Sequence, residues 1–292
     1  VKIAKLLLAA HVMALLFGLG GLLVVIPNLG AYAANPTAMR IYGFGMTYAG
    51  SMHIILGAAA MFAFGWAVLG LRRTTTFFVI AVPVSLCSEI LGTTSGYPFG
   101  NYAYTDFLGY KVAGHVPFSI PLSWFYVGFA VYILGSVIAA RYRLSPQAWW
   151  GVALGAWFLT VWDLVLDPAM AHADLSVKFW EWYDTGPYFG MPIVNFVGWT
   201  LTAFAFMGLA RFAWGSDIDP AAEPIPVWFP YTIFLANTLF ASAISASVGL
   251  WIPIVLAVVL GLVPAALALV AERDAKRRES SAAALQTASQ RA

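Results

Sequence analysis

Charge is what this sequence has least of. Fifteen Lys+Arg and 13 Asp+Glu supply only 10% of its 292 residues, while 61% are hydrophobic. Soluble domains are normally roughly a quarter charged, so a soluble globular fold is excluded. A net charge of +2 builds no basic face, which removes nucleic acid as a partner. One cysteine, Cys87, rules out a disulfide framework and any thiolate-rich metal cluster, and reads as a small buried apolar residue. The histidines, His11, His53, His115 and His172, include no pair at metal-binding helix spacing. The His-rich di-iron site of membrane desaturases and hydroxylases is therefore missing, as are a phosphate-binding Gly-Lys loop and a dinucleotide fingerprint. No metal and no cofactor is expected.

Long apolar runs are what the sequence has instead. A membrane-spanning helix needs about 20 mostly apolar residues, and eight stretches qualify: Leu6–Ile26, Met46–Leu71, Phe77–Thr94, Ser119–Ala140, Ala148–Pro168, Pro192–Phe212, Val227–Val248 and Trp251–Ala271. Only a tight turn near Gly249 and Pro253 separates the last two, so seven spans are the competing count. The positive-inside rule decides between them. With eight spans and a cytoplasmic N-terminus, Lys2, Lys5, Arg72, Arg73, Arg141, Arg143, Arg211 and the basic residues from Arg273 onward fall inside, leaving Arg40, Lys111 and Lys178 outside. Seven spans would place the basic C-terminal segment on the wrong side. The first run is longer than the usual signal-peptide core and is read as an anchor, despite Ala31-Tyr32-Ala33. The expected fold is thus an all-α polytopic integral membrane protein of the cell membrane in contact with lipid, with both termini cytoplasmic. Residues 1–271 form one helical domain, and 272–292 a polar, disordered tail.

Two segments between spans are crowded with aromatics, Gly and Pro. One runs from Ser95 to Pro117 and the other from Ala169 to Met191. They read either as an interfacial aromatic belt or as a pair of folded loops capping the outer mouth of the bundle over an apolar ligand.

Three acids stand inside otherwise apolar spans: Glu89, Asp163 and Asp167. Intramembrane carboxyls are costly and usually functional. Asp163 and Asp167, four apart, share one helix face, which Gly151 and Gly155 continue toward a close-packed neighbour. Counted along their helices, His53, Glu89, Asp163, Asp167 and Asn195 fall at one depth near the outer surface. Ser123, Trp124, Trp162 and Trp199 reach the same layer. Apart from Arg211 at the inner end of the sixth run, no Lys or Arg lies within a span to balance the acids, unless Lys111 folds inward. At least one acid is therefore expected to hold a proton at neutral pH, which suits general acid catalysis. The plain alternative is protonated glue between helices. His11 and Asn237, with Ser242, Ser245 and Ser247, read as helix-contact residues, and His115 and His172 as loop residues.

Several motifs in series resemble a known family. Glu89-Ile-Leu-Gly-Thr-Thr-Ser-Gly-Tyr-Pro-Phe-Gly-Asn-Tyr-Ala-Tyr, Val116-Pro-Phe-Ser-Ile-Pro-Leu-Ser-Trp-Phe, Asp163-Leu-Val-Leu-Asp167-Pro-Ala-Met, Phe179-Trp-Glu-Trp and Gly186-Pro-Tyr-Phe-Gly-Met-Pro-Ile-Val-Asn-Phe-Val-Gly-Trp are similar to those of the CruF-type carotenoid biosynthesis family, the carotenoid 1,2-hydratases. The likeness is strong over about residues 80 to 200. It implies addition of water to the terminal double bond of an acyclic ψ end group of a lycopene- or γ-carotene-like substrate, giving a tertiary alcohol. Such chemistry needs an acid, cation-stabilising faces and water. Asp163 or Asp167 would donate the proton, and Glu89, with Asn195 or His53, would position the water and accept its proton. Tyr102, Trp124, Trp162 and Trp199 would face the cation.

Two rivals use the same acids. Asp163-x-x-x-Asp167 resembles half of the magnesium motif of membrane prenyltransferases, although the partner motif is missing. A proton-coupled transporter would use the acids as a relay, but no inverted repeat is visible. Chelator sensitivity separates the first from hydration, and activity in detergent separates the second.

Overall fold

The computed structural model describes residues 1–218, 223 and 225–272. The expected tail, beyond Glu272, lies outside the described residues. Eight helices are long and apolar enough to cross a membrane: α1 Lys2–Tyr32, α2 Pro36–Leu69, α3 Leu71–Ser95, α4 Ser119–Arg141, α5 Trp149–Ala171, α6 Ile193–Trp214, α7 Trp228–Ser247 and α8 Trp251–Glu272. The turn at Val248–Leu250 separates α7 from α8, so eight is the count among the described residues.

Helix α4 is the axis of the bundle. Its sequence is apolar all round, and 89% of its most hydrophobic window is buried. It packs against α2, α3, α5 and α7. The closest approach is to α5, where a Cβ on Gly135 would lie 2.8 Å from the Gly151 carbonyl oxygen and 2.9 Å from the Gly155 nitrogen. The glycines below the Asp163/Asp167 face thus admit α4, as their spacing suggests. In α8, Pro264 cannot donate to the carbonyl of Leu260, and the indole of Trp157 on α5 donates to it instead at 3.0 Å.

Two of the cations are paired at the end of the bundle away from the two aromatic segments. Arg73 pairs with Glu223, and Arg211 meets Asp217 at 2.5 Å. Lys111 does not fold inward but sits on Asp106 at 2.7 Å. No described Lys or Arg therefore neutralises Glu89, Asp163 or Asp167. Cys87 corrects the sequence reading: it is exposed, on the outward face of α3, because the buried stripe of that helix runs through Ala81, Ser85 and Glu89.

The two aromatic segments form one cap. Strand β1 (Tyr102–Tyr104) pairs antiparallel with a strand from the second segment, Trp180–Trp182, with Tyr102 opposite Trp182 and Tyr104 opposite Trp180. Within the first segment, β2 (Lys111–Val112) and β3 (Val116–Pro117) make a further antiparallel pair; Trp180–Trp182 is β4. Alternation along β1 and β4 turns Tyr102, Tyr104 and Trp180 into the bundle and leaves Glu181 exposed. Phe99 anchors the cap by wedging between α3 and α6, where a Cβ on either Gly92 or Gly198 would come within 2.6 Å of its ring. The chain enters this wedge through Gly96, the left-handed cap of α3 at φ +76°.

Candidate active site

The site is built where the cap meets the ends of α3, α4, α5 and α6. Asp163 and Asp167, both buried, stand one turn apart on α5. Asn195, in the first turn of α6, bridges them: its Nδ2 donates at 2.8 Å to Asp163 Oδ2 and at 2.8 Å to Asp167 Oδ2. The cap supplies the rest of the Asp167 shell, because the indoles of Trp180 and Trp182 donate to Oδ1 at 2.6 and 3.1 Å. Asp167 thus accepts only N–H donors, which is how a carboxylate is held. Asp163 differs. Its Oδ1 is buried without a hydrogen-bond partner among the described residues, and so is the adjacent Trp162 Nε1.

The α5 backbone is tied to the cap at the same place. Pro168 leaves the carbonyl of Leu164 without its helical donor, and Tyr188 of the second cap segment donates its hydroxyl to that oxygen at 2.9 Å. At the exposed edge of the cap, Asp184 accepts the backbone N–H of Asn101 at 2.7 Å and its amide at 2.9 Å. These bonds hold the Asp184 carboxyl below the ordinary carboxylate range.

Glu89 forms a second acidic station across from the pair. Trp124 donates to Oε1 at 2.9 Å, Tyr104 to Oε2 at 2.8 Å, and Tyr102 also donates to Oε2. Burial, and then the neighbouring Glu89, push both cap phenols well above their ordinary range, so they remain neutral donors. Trp124 stacks on Trp199 at 4.0 Å between ring centres, and Trp162 stands edge-on to Trp199 at 6.0 Å.

All nine residues singled out from the sequence line one mostly apolar cavity of about 570 Å³. Eight of them form the acidic stations and the indole stack; His53 faces the same cavity but bonds elsewhere. Its Nδ1 meets the Ala49 carbonyl at 3.1 Å, and its own carbonyl meets His11 Nδ1 at 2.7 Å. His11 in turn contacts Asn237 at 3.1 Å, and Tyr126 donates to Asn237 at 2.6 Å. His11 and Asn237 are helix-contact residues, as expected, though Asn237 and Tyr126 also touch the cavity. Sequence reasoning did not assign Tyr104, Trp180 and Trp182, which supply donors to the acids; the Tyr-Ala-Tyr and Trp-Glu-Trp alternations were the available signal. No group of three or more His, Cys, Asp or Glu at metal-holding distance occurs among the described residues.

The model of the carotenoid biosynthesis protein family matches residues 49–264, a stretch that includes all nine candidate residues. The bisanhydrobacterioruberin hydratase of Haloarcula japonica is 25% identical over 204 residues, covering 65% of this chain and 62% of that protein. This chain therefore spans less than two thirds of that relative's length. No solved structure gives a significant match. The eight apolar helices and the family together make the chain an integral membrane protein. From the match across most of its length, the chain belongs to the carotenoid biosynthesis protein family.

Proposed function

We propose that the chain is a carotenoid hydratase that adds water across the terminal double bond of an acyclic ψ end group, with Asp163 as the acid. The family and the hydratase relative support a hydratase role; the reaction assigned here is the one this site's chemistry fits. One observation carries the assignment: of the bridged pair, Asp167 is filled by N–H donors, while the buried Asp163 Oδ1 has no hydrogen-bond partner among the described residues and belongs to a cavity-lining residue.

In this reading Asp163 carries the proton on Oδ1 and delivers it to the secondary alkene carbon. The π electrons form the new C–H bond and leave a tertiary cation. The cation lies against the faces of Trp124 and Trp199, with the carboxylates of Glu89 and Asp167 opposite its charge. The unpartnered Trp162 N–H donates to the oxygen of the reacting water, which bonds to the cation. The oxonium then returns one proton to Asp163, so the cycle closes with a net gain of one water and no redox change. The donor-filled shells of Glu89 and Asp167 keep their charges in place during the cycle, which is the preorganisation such a cation needs. The protein lies in the cell membrane with both termini cytoplasmic, on the positive-inside count, which puts the cap and its acids at the outer surface.

The test is expression in cells accumulating lycopene or γ-carotene, without oxygen and in ¹⁸O-labelled water, with the carotenoids followed by mass spectrometry. A product heavier by one labelled water is expected. Unchanged carotenoids in membranes that contain the protein would overturn the reading.

A further inference from the structure

The hairpin of α1 and α2 is built unlike the rest of the bundle. From Leu16 to Gly50 not one residue is buried, whereas Leu15 and Ser51 on either side of this stretch are. Each helix changes to π geometry here, at Gly21–Val25 in α1 and Gly45–Ala49 in α2, as α8 does at Ala257–Leu262. In α1 the cause lies two residues on, where Pro27 has no N–H for the carbonyl of Leu23. Such widened turns are frequent at functional sites. A Cβ added to Gly20, Gly21 or Gly43 would meet nothing within 4 Å, while one on Gly45 would touch the Phe17 ring at 3.5 Å, so at this level α1 and α2 meet through Phe17.

The inner face of this hairpin is a wall of the cavity that holds the acids. Phe17, Val24 and Ile41 line that cavity and are at the same time 40%, 53% and 54% exposed. Single side chains thus separate the cavity from the outside at this level. At the other end the cap closes the cavity with the buried Phe99, Tyr102, Tyr104 and Trp180. The thinnest wall toward a large apolar molecule is therefore lateral, at the apolar helices α1 and α2, and not the cap.

We propose that α1 and α2 form a lateral portal through which a long acyclic polyene passes from the lipid, its end group reaching Asp163 while the rest of the chain lies between Phe17, Val24 and Ile41 and extends into the bilayer. The occupant follows from continuity: one apolar channel leads from lipid-facing side chains to the acids, which suits a linear hydrocarbon whose reacting group is at its tip. The proposal rests on the carotenoid reading above, and adds the route and the residues that receive the chain.

The experiment places Val24→Cys or Ile41→Cys in a Cys87→Ala background and blocks the folded, purified protein with a bulky methanethiosulfonate reagent. Lycopene uptake is read by quenching of tryptophan fluorescence. Wild-type protein labelled at the exposed Cys87, which does not line this cavity, is the control. The expected result is loss of lycopene uptake on labelling at 24 or 41, full recovery when the label is reduced off, and normal uptake in the labelled control. Cysteines that resist labelling, or labelled variants that take up lycopene as the control does, overturn the portal. Wild-type protein that binds lycopene and returns it unhydrated would strike the hydratase reading alone, leaving the labelling result to judge the portal.

Discussion

Replacing Asp163 by Asn keeps the size and shape of the side chain and removes the one carboxyl proton the proposed reaction uses. The new carbonyl oxygen can still accept the Asn195 amide, which lies 2.8 Å from Asp163 Oδ2, so the bridge to α6 survives. The shell of Asp167, with its two indole donors, is untouched. Activity and folding therefore separate at this position. Loss of a general acid costs roughly 10²–10⁴-fold in rate, or about 3–5 kcal/mol on the barrier. Asp167→Asn behaves differently. Its carbonyl oxygen can keep both indoles, but its NH₂ group then opposes the Asn195 NH₂, and a charge-assisted bond worth about 1.5–3 kcal/mol is weakened or lost. The expected pattern is hydration lost with the unfolding temperature and lycopene quenching intact for Asp163→Asn, and both activity and unfolding temperature lowered for Asp167→Asn. The assay is product formation in membranes in ¹⁸O-labelled water, beside thermal unfolding in detergent. Full activity of Asp163→Asn at normal protein level would refute the assignment of the acid.

Three further outcomes are expected. Tyr188→Phe strips the donor from the Leu164 carbonyl and should lower stability by about 1–3 kcal/mol; in a Pro168→Ala background the helical N–H returns and the same change should cost little, so equal losses in both backgrounds would count against this tie. Gly198→Ala puts a methyl 2.6 Å from the Phe99 ring, an overpacking of about 1–3 kcal/mol; faster proteolysis of the cap, relieved by Phe99→Leu, is the readout, and an unchanged digest would contradict the wedge. If Trp124 faces a cation, Trp124→Phe should lose less rate than Trp124→Leu by a ring contribution of about 0.5–2 kcal/mol; identical rates for the two variants would remove that role.

Most of the fold could be read from hydropathy and charge, because a bilayer imposes length on every helix and sign on every loop. The boundaries could not. Helix α2 begins at Pro36, about ten residues before the apolar run at Met46, because Asn35 caps it by accepting the N–H groups of Thr37 and Ala38 at 3.0 and 3.1 Å. Hydropathy passes over that turn because Arg40 and its polar neighbours lower the average, although Asn35-Pro36 is an N-cap signal. Helix α3 likewise starts at Leu71, taking Arg72 and Arg73 into its first turn after Gly70 at φ +85°. Cys87 was misread for a related reason: apolarity in a membrane helix marks lipid as well as core, so burial does not follow from it.

The site divides along the same line between local and long-range information. Helical pitch alone places Asp163, Asp167, Glu89 and Asn195 at one depth, since each position counts from a span end that the sequence marks. Pitch leaves the three acids equivalent. What distinguishes them is the number of hydrogen-bond donors each receives, and four of the six donor residues, Tyr102, Tyr104, Trp180 and Trp182, arrive on the cap. Its pairing of Tyr102 with Trp182 joins residues eighty positions apart in the chain. Trp180 and Trp182 reach Asp167 only because β4 is held by β1, and Tyr102 and Tyr104 reach Glu89 only because β1 is held by Phe99 and β4. On the proposed reading the cap assigns the chemistry: by filling two of the three carboxyls and leaving one oxygen of Asp163 without a hydrogen-bond partner among the described residues, it would single out one proton donor from three acids that the helices alone leave interchangeable.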